Sequence, residues 1–353
     1  MGITGVIFRW AFALTLCFRA EQSVLGSSNE RFAALQGLIF DDDPHGVTQP
    51  PLQSTSSYKE KAIATFDEQL INIFIIIGGT TMSFCKVSKA NIYYEIIGTG
   101  TPIVMLHGYS PDHRLMKGCM EPVFAEREGW KRIYIDLPGM GKTTDYDKID
   151  NSDEMLEAVV ELIHSLLPNE RYLLVGESYG GYLVRGILRE YHEQVLGAGF
   201  ICPLIIPNKQ SRTVPVQSIV AVDKEFLSTL TKEELEDFSS HLVVLDEYNC
   251  HRYTNEVLAG QRNADVEFLE KIQGSYRFSF PVDEISFDKP CLFLLGKQDS
   301  MVGYKDAFAI LDKFPRAAFT ILDKAGHNLQ IEQATLFTSL MSEWLERVEE
   351  FNN

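Results

Sequence analysis

The chain has 353 residues, 45% of them hydrophobic, enough to bury the core of one large α/β domain or of two smaller ones. Acidic residues outnumber basic ones by 49 to 32, for a formal net charge of −17, and no basic stripe stands ready to neutralise nucleic-acid phosphates or to insert stably at an anionic membrane. The six cysteines lie far apart with no Cys-x-x-Cys pair or His–Cys grouping at ligand spacing, so neither a metal site nor a disulfide framework is expected, and buried free thiols suit a cytoplasmic protein.

Residues 1–81 read as a poorly ordered N-terminal extension. Met1–Ala20 carries Arg9 and the short apolar run Ala11–Phe18; it is signal-like, which keeps secretion open, but Phe18 is a poor residue three before a cleavage site and the run is too short to span a bilayer. Ser23–Ser57 is polar, with Asp41-Asp42-Asp43-Pro44 and Pro50-Pro51. The apolar run Ile71–Ile77 reads as a strand or a helix end.

From Met82 the patterning changes. Met82–Val87 and Asn91–Ile97 are β-rich and predict an antiparallel pair around the turn Ser88-Lys89-Ala90. Ile103–Leu106 is continuously apolar, as a strand covered on both faces would be, and ends in His107-Gly108-Tyr109. Such a turn exposes the next backbone N–H to a crevice, so the Tyr109 N–H is a candidate oxyanion donor. Arg132–Ile135 leads into Asp136, Pro138, Gly139 and Gly141-Lys142-Thr143. The last three residues match the tail of a phosphate-binding loop, but Asp136 stands where that loop requires glycine. The better reading is a turn in which Asp136 accepts from nearby backbone N–H groups. Ser152–Leu167 has apolar residues at helical spacing, with Ser152 as N-cap and Pro168 as the stop.

Tyr172–Val175 then runs into Gly176-Glu177-Ser178-Tyr179-Gly180-Gly181, followed by the helical pattern Tyr182–Tyr191. Strand, glycine-flanked turn and helix place a serine on a strained elbow with its hydroxyl exposed, which makes Ser178 the candidate nucleophile and the Tyr179 N–H a second oxyanion donor. Gly176 and Gly180 remove the Cβ atoms that would collide where strand and helix pass.

With these motifs in this order, the chain resembles the α/β-hydrolase fold family, in its single-domain branch with a helical cap. The resemblance covers roughly Met82–Val348. It implies an eight-stranded, mostly parallel sheet with helices on both faces, a core at 82–204 and 288–350, a cap at 205–287, and the order serine, acid, histidine. Val195–Pro203 is a further strand, and Leu204–Asn208 offers no carboxylate after it. Within the cap, helices are expected at Val216–Leu230, at Thr231–Tyr248 with a Thr231/Glu234 capping box, and at Ala264–Gln273. Tyr248, His251, Arg252, Tyr253, Tyr276, Phe278 and Phe280 are pocket or hinge candidates. Cys291–Leu295 resumes the sheet, and Asp299 just past it resembles the family's acid. Asp288 and Asp306 are set aside, one before its strand and the other in the next helical stretch. Ala318–Leu322 is the last strand; His327 in the Ala-Gly-His loop after it is the expected base, and Thr335–Val348 is a closing helix.

Together these residues predict a Ser178–His327–Asp299 relay in a serine hydrolase, with no cofactor and no metal. The substrate is a small molecule, a carboxylic ester of small or medium apolar character. A serine nucleophile disfavours the branches that attack through aspartate. Carbon–carbon hydrolysis of a diketone, an aminopeptidase-like amidase and a non-catalytic ligand receptor are the alternatives. A His-Gly-Gly-Pro-Gly loop of the proline iminopeptidase type is absent where His107-Gly108-Tyr109-Ser110-Pro111 stands.

Overall fold

The β-rich segments after the extension pair as their alternation requires. In the computed structural model, which describes residues 80–352, β1 (Thr80–Lys86) and β2 (Asn91–Ile97) run antiparallel, from Thr80↔Ile97 to Lys86↔Asn91. Thr80 and Thr81, assigned to the extension on sequence, belong to this strand. The expected disorder of the extension, the signal-like segment and the Ile71–Ile77 run lie outside the described residues.

The next elements are β3 (Thr101–Leu106), α1 (His113–Met120), β4 (Trp130–Ile135), α2 (Ser152–Leu166), β5 (Tyr172–Glu177), α3 (Tyr179–Tyr191) and β6 (Val195–Ile201). After a long insertion come β7 (Cys291–Gly296), β8 (Ala317–Leu322) and a closing helix, Ala334–Asn352. The strands form one eight-stranded sheet in the order β1-β2-β4-β3-β5-β6-β7-β8. β2 is antiparallel to both neighbours, and every other pairing is parallel. Every residue of β5, β6 and β7 is buried, which is why these strands read as unbroken apolar runs with helices over both faces. The closing helix packs beside α1, and α2 packs beside α3. The indole of Trp344, buried among these elements, donates to the Pro290 carbonyl at 3.0 Å. Burying so large a ring contributes about 3 kcal/mol, with the hydrogen bond sparing its N–H a desolvation cost.

Local signals hold with small shifts. Asn151, one residue before the expected Ser152, is the N-cap of α2 and accepts from the Glu154 N–H; the Ser152 hydroxyl is taken up by the Tyr179 hydroxyl at 2.8 Å.

The insertion between β6 and β7 departs further from expectation. Helices occupy Lys232–His241, Glu247–Tyr253 and Val266–Gly274, and the Thr231/Glu234 capping box is present. The helix expected at Val216–Leu230 is instead largely extended: Ala221–Val222 pairs in parallel with Val244–Leu245, and only Lys224–Leu227 turns helically. That second strand also interrupts the expected Thr231–Tyr248 helix. The apolar side chains of the first stretch have little to pack on, with Val216 89% exposed, so no buried stripe supports a helix there. The insertion has a core of its own, in which Phe238, Leu242, Tyr253 and Val257 meet Leu115 of α1 and Ile331. Arg185 of α3, buried, forms a two-pronged pair with Asp283 at the insertion's end and donates to the Leu204 and Ile205 carbonyls at its start. Among the described residues no helix is long and apolar enough to cross a membrane.

Candidate active site

The turn between β5 and α3 fixes Ser178 at φ 50° and ψ −113°, a region non-glycine residues rarely occupy. Its backbone is clamped on both sides: Ser178 N–H donates to the Ile201 carbonyl at 2.9 Å, and Leu204 N–H donates to the Ser178 carbonyl at 2.9 Å. The flanking glycines are required sterically. A Cβ on Gly176 would stand 2.4 Å from the Gly180 carbonyl oxygen, and one on Gly180 would stand 2.2 Å from that of Leu106.

Two loops at the carboxyl ends of β7 and β8 bring the other expected residues to this serine. His327 Nε2 lies 3.0 Å from Ser178 Oγ, and its Nδ1 lies 2.9 Å from Asp299 Oδ2. Oδ1 of Asp299 accepts from the N–H groups of Met301 and Val302 at 2.8 and 3.0 Å, which leaves Oδ2 for the imidazole. Burial favours the neutral form of Asp299, but the facing His327 and these backbone donors outweigh it and hold the carboxyl below its ordinary value. Burial alone would lower the His327 pKa; the Asp299 and Glu177 carboxylates instead raise it to about 9.

The candidate oxyanion donors flank the same serine. Imidazole Nε2 of the buried His107 accepts from the Leu137 N–H at 3.0 Å, which assigns the ring proton to Nδ1, and that nitrogen faces the Gly108 carbonyl at 2.7 Å. His107 thereby holds the peptide whose other end is the Tyr109 N–H. The Tyr109 and Tyr179 rings meet edge to face at 5.2 Å, and Tyr276 from the insertion packs on both. The Tyr109 hydroxyl donates to the Leu269 carbonyl of the insertion and the Tyr179 hydroxyl pairs with Ser152, so the side chains of both residues whose backbone N–H groups are the candidate donors are pinned.

Two carboxyl groups at the site carried no signal in the sequence reading. Glu177, buried directly before the serine, places Oε1 at 3.4 Å from His327 Nε2, and burial pushes its carboxyl up to about 7. In the sequence it stands only at the variable position of the glycine-flanked motif. Glu332, in the short helix Leu329–Glu332, accepts from Gly326 N–H at 2.6 Å and from the N–H groups of Val243 and Val244 in the insertion. Burial dominates these bonds and raises its carboxyl to about 7 as well. Position five after the histidine was its only trace, and contacts so distant in sequence leave no pattern.

The Asp136 turn is closed as a turn. Asp136 accepts from Lys142 N–H at 2.8 Å and also from His113, through its backbone N–H at 2.8 Å and its Nδ1 at 2.7 Å. A Cβ on Gly141 would stand 2.2 Å from the Asp136 carboxyl, so the carboxylate fills the space a phosphate would need. His113 Nε2 faces Glu95 at 3.1 Å on its other side.

Ser178 and His327 open into a cavity of about 820 Å³ between the sheet edge and the insertion. Of the pocket and hinge candidates, Tyr276 lines it. Tyr248 and Arg252 line a separate cavity of about 320 Å³, Tyr253 is buried against His241, Phe278 stacks on Tyr182 and on Phe280, and His251 is exposed.

Residues 101–334 match the serine aminopeptidase S33 family, grouped as hydrolases. Monoacylglycerol lipase ABHD6 of Bos taurus is 24% identical over 71% of this chain and 77% of its own. The 2-hydroxy-6-oxononadienedioate/2-hydroxy-6-oxononatrienedioate hydrolase of Burkholderia vietnamiensis is 23% identical over 74% of this chain and 92% of its own. Among solved structures, an alpha/beta superfamily hydrolase from Oenococcus oeni PSU-1 superposes with a TM-score of 0.71 at 30% identity, covering 76% of this chain and 100% of that one.

Proposed function

Since this chain belongs to the serine aminopeptidase S33 family of α/β-hydrolases, we propose that it cleaves carboxylic esters through an acyl-enzyme formed on Ser178. The observation that carries this reading is the unbroken contact from Asp299 through His327 to Ser178, on a strained turn at the rim of the sheet.

His327 Nε2 takes the Ser178 proton as Oγ bonds to the ester carbonyl carbon. The imidazolium so formed is stabilised by Asp299, which also fixes the ring's orientation. Charge moves to the carbonyl oxygen, where the Tyr109 and Tyr179 N–H groups receive it, each worth about 3 kcal/mol when preorganised. Collapse of this intermediate expels the alcohol, which leaves with the proton held by His327. Water, deprotonated by the same nitrogen, then attacks the acyl carbon and frees Ser178. Residues 205–287 act as a cap over a core made of 82–204 and 288–350, and the cavity between them takes a small or medium substrate.

An aminopeptidase reading has less support, since a free substrate amine needs a carboxylate and Glu177, the one acidic residue lining the cavity among the described residues, is engaged with His327. Hydrolysis of a carbon–carbon bond in an oxo-acid is the second reading, supported by likeness to the Burkholderia vietnamiensis hydrolase. Turnover of p-nitrophenyl esters and labelling by a fluorophosphonate probe test the ester reading. Ser178→Ala abolishes both and Asp299→Asn lowers kcat on the order of 10⁴-fold; labelling that persists in Ser178→Ala overturns the assignment.

A further inference from the structure

The cavity beside Ser178 has a charge opposite to that of the molecule around it. Lys209, Arg212 and Arg277 line it, and among the described residues Glu177 is the only carboxyl lining it, although the chain carries 49 acidic residues against 32 basic ones. None of the three cations is within ion-pair distance of a carboxylate among the described residues, whereas Arg114, Arg127, Arg132, Arg185, Arg252 and Arg347 are all paired. Among the described residues Arg171, Arg262 and Arg316 are unpaired as well, so what sets Lys209, Arg212 and Arg277 apart is that they share one cavity beside Ser178.

Arg212 is the most informative of the three. It is partly buried, and backbone carbonyls hold it: its Nε donates to Ile206 at 2.9 Å, and its terminal nitrogens donate to Met301 and Pro207, each at 3.0 Å. Each terminal nitrogen carries a second hydrogen, so both keep a donor that these bonds do not use. Burial lowers the pKa of this guanidinium, and Tyr276 and the carboxylates of Asp299 and Asp306, none of them in contact with it, offset that only in part. A half-buried cation with no carboxylate in direct contact gains from an anion that takes its unused donors. Met301 follows the acid Asp299, and Ile206 and Pro207 open the insertion, so the guanidinium is fixed relative to the reacting groups.

We propose that the substrate carries an oxyanion, a carboxylate or a phosphate, away from its scissile ester, and that Arg212 grips it as a fork while Lys209 and Arg277 draw it to the cavity. This replaces the apolar substrate expected from the sequence. It rests on the ester-hydrolase reading and narrows its substrate class. A planar carboxylate or phosphate matches paired donors of a guanidinium, which also sets the distance from the anion to the ester.

The test compares p-nitrophenyl monoesters of straight-chain dicarboxylic acids with uncharged p-nitrophenyl esters of equal chain length, with an acyl ester of glycerol phosphate as the phosphate arm. The expected result is a kcat/KM at least tenfold higher for a charged ester, mostly through KM and falling with added salt; whichever charged arm gains identifies the anion. In Arg212→Gln that preference falls about tenfold. Because this variant also loses carbonyl contacts, Lys209→Gln/Arg277→Gln, which changes two exposed side chains, is measured beside it, and there the salt dependence shrinks. Equal or better turnover of uncharged esters by the wild type, or an undiminished preference in both variants, overturns the proposal. Absence of turnover with every ester, together with no labelling of Ser178, would instead sink the ester-hydrolase reading itself.

Discussion

Glu177 shows how one side chain can tune the proposed base, His327, without touching the bond that breaks. Its carboxylate faces the same imidazole nitrogen that meets Ser178, and so adds to Asp299 in favouring the imidazolium. His327 must be neutral to accept the serine proton, so a raised pKa delays activity as pH climbs: the ascending limb of kcat/KM is expected above the ordinary imidazole value, toward about 9. Glu177→Gln keeps the shape and removes the charge, and the limb moves to lower pH. A limb that stays in place, measured with a neutral ester across pH 5.5–10, rejects the coupling. Ser178, Asp299 and His327 were legible in the sequence because each follows an apolar strand in a set order. Glu177 was not, because its role comes from the imidazole that arrives from residue 327.

At the scale of elements, the insertion is fastened to the sheet by buried polar contacts as well as by apolar packing. Arg185 joins α3 to both ends of the insertion, through Asp283 and the carbonyls of Leu204 and Ile205. Arg185→Leu strands a half-buried carboxylate and two carbonyls, and is expected to cost about 3 kcal/mol in urea unfolding. A loss within a few tenths of a kcal/mol would mean the pair is not holding the insertion. The strands of the sheet were readable to within about two residues at either end, since burial on two faces writes continuous apolar runs. Val216–Leu230 misled because apolar residues at helical spacing predict a helix only where a core awaits them. Val214, Val216, Ile219 and Val222 are exposed, and the chain takes the extended pairing with Val244–Leu245.

Across the whole molecule, stability is tied to pH through His113, which sits between Asp136 and Glu95 under the first turn of α1. Burial works against its charge, but these carboxylates prevail and raise its pKa from 6.5 to about 9. A raised folded-state pKa gives stability that is whole below pH 6.5 and fades as pH rises through 9. The contribution is about 3 kcal/mol. The stability gap between wild type and His113→Gln, read from urea unfolding at pH 6 and pH 9.5, therefore narrows by about that amount on the alkaline side. A gap that stays constant shows that folding leaves the His113 pKa unshifted. Glu332 reaches across the molecule in another way, since one carboxyl group grips Gly326 and the N–H groups of Val243 and Val244. Roof and base thus share a single anchor: a chimera that borrows its roof from a relative inherits a working histidine only if the transplanted stretch still presents two neighbouring amides at that point.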